Sequence, residues 1–225
     1  ALLDSMLKTH ALQKYYLPTS LIPDKYSEHC AQEKKDKNFN GNINLFQIGG
    51  IHCTRSSDVL LNAYQTFSKD IVVSFHGSVS MEVNDTLMRK PIIYQKQDTF
   101  QKMRANISKA DIGFISMIEP SLNFSLVSKA TGQVAEYARL GIPMIVFKSR
   151  ELGAYLEEKE CGIYIENINE CEHAIRQIMS QYGAYSQAAH RLFCERFNLL
   201  NYKDELMSKI YKVCHTNISS EHNVP

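Results

Sequence analysis

Two stretches of the chain carry residue types whose spacing could do chemistry. The first runs Gln47-Ile48-Gly49-Gly50-Ile51-His52-Cys53-Thr54-Arg55-Ser56-Ser57-Asp58, with paired glycines after an apolar run and an arginine just before a helical pattern. Gly49 and Gly50 let a ligand approach the backbone, Arg55 offers a bidentate donor fork, and a helix start presents free N–H groups with a favourable dipole. Together these make a cradle for phosphate. A tight turn with a solvated arginine accounts for the same residues, since the loop is neither a GxGxxG nor a Walker pattern.

The second stretch runs from Glu119 to Pro143, and its centre reads Ser125-Leu126-Val127-Ser128-Lys129-Ala130-Thr131-Gly132-Gln133-Val134-Ala135-Glu136. A hydroxyl-rich loop with Ser128 and Lys129 leads into Gly132 at a helix start, and Glu136 follows about one turn later. Backbone amides around Thr131, Gly132 and Gln133 can bind a diphosphate while the Glu136 carboxylate accepts from two ribose hydroxyls. The plainer account of Glu136 is a carboxylate on an exposed helix face. His76-Gly77 ends an apolar run, where a histidine is equally a satisfied polar group at a strand end.

These loops need a frame, and the pattern predicts one. From residue 43 onward short apolar runs alternate with amphipathic helical stretches, the signature of βα units feeding a parallel sheet. The candidate strands are Ile43–Ile48, Ile71–His76, Pro91–Tyr94, Asp111–Ser116, Pro143–Phe147 and Gly162–Ile165. Six strands and their helices predict an α/β, doubly wound, Rossmann-like parallel sheet, whose right-handed crossovers gather the ligand-binding loops at one edge. Helices are expected to start at Ser56 or Ser57 and at Asp98, whose side chains can accept from free N–H groups.

Around that frame, Asp4 to Lys14 reads as a helix and Tyr15–Pro18 and Leu21–Pro23 as extended pieces. Asp24 to Asn42 is polar and reads as a linker or mobile surface loop. Ala184 to Val213 reads as helix with a break near Asn198, and His215 to Pro225 as a frayed tail. The division expected is therefore a connector and linker over 1–42, one domain over 43–214 and a tail over 215–225.

Composition narrows the class. With 25 basic against 24 acidic residues the surface has no strong field for nucleic acid or an anionic membrane. The six cysteines form no CxxC and no His/Cys cluster at zinc spacing, so no metal is expected. The sequence shows no signal segment and no run long enough to cross a bilayer, which predicts a soluble cytoplasmic protein whose four N-x-S/T sequons are chance matches.

The run Thr131-Gly132-Gln133-Val134-Ala135-Glu136-Tyr137-Ala138-Arg139-Leu140-Gly141-Ile142-Pro143 resembles the C-terminal, nucleotide-sugar-binding domain of GT-B glycosyltransferases, in particular the retaining group 1 family, also called family 4. That family shows a Gly, a helix carrying Glu, and then Gly-x-Pro entering a strand. Its Gly-Arg pair, Lys-Gly pair and Asp-x-Leu-Leu-x-Ala helix are echoed by Gly49-Gly50, Arg55-Ser56 and Asp58-Val59-Leu60-Leu61-Asn62-Ala63, and its later strand by Glu160-Cys161-Gly162-Ile163-Tyr164-Ile165. The resemblance implies that Arg55 stands for the phosphate-binding lysine and Glu136 for the ribose-binding glutamate. It places the nucleobase near Tyr94 and Gln95, after the third strand. Gly50 departs from the family's arginine. Ser128, eight residues before Glu136, stands where the family has an earlier glutamate beside the donor sugar. Glu119 could replace that glutamate only through a longer loop.

The resemblance further implies a UDP- or GDP-sugar donor with no other cofactor, and a leaving diphosphate supported by Arg55 and Lys129. The catalytic residue itself is not identified. An N-terminal acceptor domain would be missing here, and it would also supply any peripheral membrane contact. Without it the domain is expected to bind donor and transfer little. Surface polysaccharide synthesis is the family's common setting. Two other readings stand beside this one: a non-catalytic nucleotide-sugar-binding module, suggested by Gly50 and Ser128, and a GT-B-like sugar-nucleotide epimerase. A flavodoxin-like regulatory domain would need an acidic cluster after the first strands, which Gly49–Ser57 lacks.

Overall fold

Strands buried on both faces have no polar side to alternate with, so they read as continuous apolar runs, and each such run here becomes a parallel strand. The computed structural model describes residues 19–37, 41–49, 51, 56–78, 92–96, 99–116 and 131–220. Within them the strands are β1 (Ile43–Ile48), β2 (Ile71–Gly77), β3 (Ile93–Lys96), β4 (Ile112–Ser116), β5 (Met144–Phe147) and β6 (Gly162–Ile165). All pairs are parallel, in the order β3-β2-β1-β4-β5-β6. This is the doubly wound order, in which direction of winding reverses between β1 and β4.

The pleat sends neighbouring residues to opposite faces, and two separate cores result. Leu45, Val73, Phe75, Phe114, Ile145 and Phe147 pack with Leu60 and Leu61 of α2 (Ser57–Tyr64) and with Ile175 and Ile178 of α6 (Cys171–Ser180). Phe46, Ile115, Met144 and Val146 face the other way. There they meet Ile107 of α3 (Phe100–Ile107), Val134 and Ala138 of α4 (Gly132–Arg139), Leu152 and Leu156 of α5 (Arg150–Glu158), and Ala188, Ala189 and Leu192 of α7 (Tyr182–Leu192).

The stretch expected to be a polar linker contains a helix, α1 (Lys25–Lys35), packed into this second face. Asp24 caps it, accepting from the Ser27 N–H at 2.9 Å, with Glu28 in its first turn and Lys34 and Lys35 in its last, as the helix dipole favours. Its buried stripe is Ser27, Cys30, Ala31 and Lys34, at helical spacing but without a large apolar side chain. Small residues let it sit close. Gly141, at φ 64°, would place a Cβ 3.1 Å from the Ala31 Cα, and one on Gly183 would lie 2.8 Å from the Lys35 carbonyl oxygen. Lys34 donates to the Ala110 carbonyl and Lys37 pairs with buried Asp111, closing the amino edge of β4.

Several boundaries differ from expectation. β3 runs Ile93–Lys96, so Tyr94 and Gln95 lie within the strand rather than after it, and Pro91 lies outside the described residues. α3 is capped by Thr99, not Asp98. After α7 a π turn (Phe193–Phe197) leads to the expected break at Asn198, and a 3₁₀ turn (Leu199–Tyr202) leads to α8 (Lys203–Ser220). The residues read as a frayed tail are thus helical as far as Ser220, since each added residue extends the hydrogen-bonded ladder already formed. Leu21 forms a parallel bridge with Asn198, while the helix read over Asp4–Lys14 and the piece Tyr15–Pro18 lie outside the described residues.

Candidate functional site

At the winding reversal, β1 and β4 share only the pairs Leu45↔Ile112 and Phe46↔Gly113, and beyond them the strands part. The end of β1 is held instead by side chains of α4. The Tyr137 hydroxyl donates to the Phe46 carbonyl at 2.7 Å and accepts from the Ile48 N–H at 3.2 Å. The Gln133 side-chain amide donates to the Ile48 carbonyl at 2.7 Å. Gly113 makes room for this, since a Cβ there would sit 2.6 Å from the Tyr137 ring. Tyr137 therefore stands in for the missing ladder where the strands part, the switch point at which doubly wound sheets have their ligand crevice.

Two helix starts border the crevice. Gly49, at φ 104°, turns the chain after β1 and donates to the His76 carbonyl at 2.8 Å. His76 itself is buried at the end of β2. Ser56, in the left-handed region at φ 49°, precedes α2, and its side chain makes no capping bond. Its Oγ is fully buried without a partner, so the expected serine cap is absent. Across the switch point, Thr131 caps α4, accepting from the Val134 N–H at 3.2 Å, and among the described residues nothing lies within 4 Å of where a Gly132 Cβ would be.

Glu136 is not a carboxylate on an exposed face. It is 6 % exposed, and Arg139, 3 % exposed, donates to its Oε2. Burial pushes the Glu136 pKa up, while the Arg139 and Arg104 guanidinium groups oppose the rise. Among the described residues no donor reaches its other oxygen, Oε1. Arg139 lies 3.6 Å from Asp24, which also takes Arg104 at 2.5 Å. Arg139, Asp24, Arg104 and Tyr137 were not singled out from the sequence. Arg139 alone had a visible signal, its i,i+3 spacing to Glu136.

The structure thus brings together Gly49, Thr131, Gly132, Gln133 and Glu136 at one sheet edge. Gln133 is already engaged with β1, which leaves its backbone rather than its amide for a ligand. Gly50, Arg55, Ser128, Lys129 and Glu119 lie outside the described residues. Tyr94 and Gln95 belong to β3, two places from β1 in the sheet, and their side chains are likewise outside what is described.

No family model and no curated protein sequence matches the chain. Solved structures do. The C-terminal domain of a group 1 family glycosyltransferase from Francisella tularensis superposes with TM-score 0.55 at 16% identity, covering 79% of this chain and 96% of that one. The chain has the fold of a GT-B C-terminal half. Of other glycosyltransferase chains that match, it spans about half the length. Sucrose-phosphate synthase from Thermosynechococcus elongatus gives TM-score 0.62 at 14% identity, with 95% of this chain and 56% of that one covered. HepE of Anabaena, in complex with UDP and glucose, gives 0.59 at 10% identity, covering 84% and 52%. Among the described residues of this GT-B half no helix is long and apolar enough to cross a membrane.

Proposed function

We propose that the chain is the donor-binding domain of a retaining glycosyltransferase that takes a nucleotide-sugar. The observation that carries this is the winding reversal, where α4 starts at Thr131–Gly132 and Glu136, one turn on, keeps an Oε1 oxygen that no donor among the described residues reaches. Helix N–H groups around Thr131–Gln133 suit a diphosphate, and a carboxylate oxygen suits ribose hydroxyls. The HepE complex with UDP supports the choice of ligand class. In transfer, the bond between the sugar and the diphosphate breaks and the diphosphate leaves with the charge. Arg55, Lys129 and the helix amides stabilise that charge while the acceptor hydroxyl bonds to the sugar and passes its proton to an oxygen of the departing diphosphate.

An N-terminal half would complete the cleft, supply the acceptor site and any peripheral membrane contact, and work in the cytoplasm on a surface polysaccharide. An exposed stripe of Met207, Ile210 and Tyr211 on α8 supports such a contact. A second reading, a binding module without turnover, is favoured by Ser128 standing where the family has a glutamate.

Calorimetric titration with UDP, GDP and their sugar conjugates tests the proposal. One nucleotide should bind, and Glu136→Ala and Arg55→Ala should each weaken it by about 1–3 kcal/mol, the range for lost charge-assisted hydrogen bonds. No binding of any of them at millimolar concentration would sink it. Turnover once an N-terminal half is supplied separates enzyme from binding module.

A further inference from the structure

Resting on that reading of Glu136, we infer that Arg139 is a positioning residue, held by Asp24, which fixes the ribose-facing carboxylate in its ionised form and orientation. The geometry divides each carboxylate between two tasks. Asp24 Oδ1 accepts from the Ser27 N–H at 2.9 Å and from the Ser27 hydroxyl at 3.1 Å, which caps α1. Its Oδ2 faces both guanidinium groups, Arg104 at 2.5 Å and Arg139 at 3.6 Å. Arg139 in turn occupies Glu136 Oε2, so that Oε1 alone remains for a ligand.

The chain of contacts is buried where it meets the site and only half-exposed at its far end. The side chains of Arg139 and Glu136 are 3 % and 8 % exposed, while Asp24 is 32 % exposed. Arg104 is itself steadied by the Ser27 hydroxyl at 2.9 Å and by the Tyr26 ring at 5.5 Å. Besides Arg139 on its own helix, the charged groups acting on Glu136 are Arg104 from α3 and Asp24 from the start of α1. α7 and the π turn after it meet α4 through Ala188, Ala189, Leu192, Phe193 and Phe197. A lone buried carboxylate would take up a proton readily and would then lose the charge that makes it a strong acceptor for two hydroxyls. The segment that leads into α1 thereby reaches the donor site through two links.

The test is the pH dependence of UDP affinity, read by calorimetry between pH 6 and 8.5 on the full chain. In Arg139→Gln, affinity should fall more steeply than in wild type as pH drops from 8 to 6, because burial then raises the Glu136 pKa without the opposing Arg139 guanidinium. Protonation of UDP itself is common to all variants and cancels in the comparison. In a Glu136→Gln background, Arg139→Gln should change nothing further. Coincident profiles for Arg139→Gln and wild type, with Glu136→Gln still weakening UDP, would leave Arg139 a structural residue and overturn the inference alone. A wild-type chain that binds no UDP overturns the ribose reading and the inference together. Should Arg139→Gln not fold, Asp24→Asn decides, because asparagine keeps the cap and removes the charge. It should shift the profile in the same direction by a smaller factor, and an unshifted profile overturns the inference.

Discussion

Tyr137→Phe isolates one hydroxyl at the winding reversal. That hydroxyl bonds two backbone groups of β1, the Phe46 carbonyl at the last β1–β4 pair and the Ile48 N–H beyond it. Phe46 is 2 % exposed, so the bond its carbonyl loses is not replaced by water, whereas half-buried Ile48 can be partly rescued by it. At about 1–3 kcal/mol for each group left unsatisfied, and less for the second, the substitution should cost about 2–4 kcal/mol. For a domain of this size that is a fall in Tm of roughly 5–12 °C. Urea unfolding followed by circular dichroism measures it, and the midpoint should drop with an unchanged m-value. A loss below about 0.5 kcal/mol, the level of an ordinary surface change, would mean that β1 and β4 close on each other without the tyrosine. The crevice would then not depend on it.

Two further outcomes follow from the same packing. Gly113→Ala forces a Cβ to 2.6 Å from the ring of Tyr137, which is fully buried and tied at its hydroxyl. It should destabilise by about 1–3 kcal/mol in urea unfolding, with most of the loss absent in a Tyr137→Ala background. Lys34 is buried, which lowers its pKa from 10.5 to about 8. Between those values the unfolded chain binds more protons than the folded one, so this residue makes stability rise with pH from about 8 to 10.5, by about 3 kcal/mol over the window. Lys34→Met should flatten that rise relative to wild type in unfolding measured from pH 8 to 10, and equal slopes would refute the assignment.

The strands were legible because burial on both faces leaves continuous apolar runs. Ile43–Ile48 and Gly162–Ile165 agree to the residue, and Ile71–His76 stops one short of Gly77. α1 was not legible for the complementary reason. Its buried stripe of Ser27, Cys30, Ala31 and Lys34 packs by closeness against Gly141 and Gly183, and closeness leaves no hydrophobic period in a sequence. The site divides the same way. The turn at Gly49 and the start of α4 at Thr131–Gly132 follow from local residue types, whereas the pairing of Glu136 with Arg139 and Asp24 joins elements far apart in the chain. Tyr137 read as an ordinary core position, and its bonds to β1 depend on where the sheet reverses.

The bridge at Leu21 and Asn198 bears on how the molecule carries load. Leu21 donates to the Phe197 carbonyl at 2.7 Å and accepts from the Leu199 N–H at 3.0 Å, so the segments entering and leaving the sheet body lie side by side. Tension applied through them would peel two hydrogen bonds apart at one point instead of shearing the parallel ladder. The same contact keeps α8 registered to the segment ahead of α1, so that a twist or pull on either is felt at Asp24, three residues beyond Leu21.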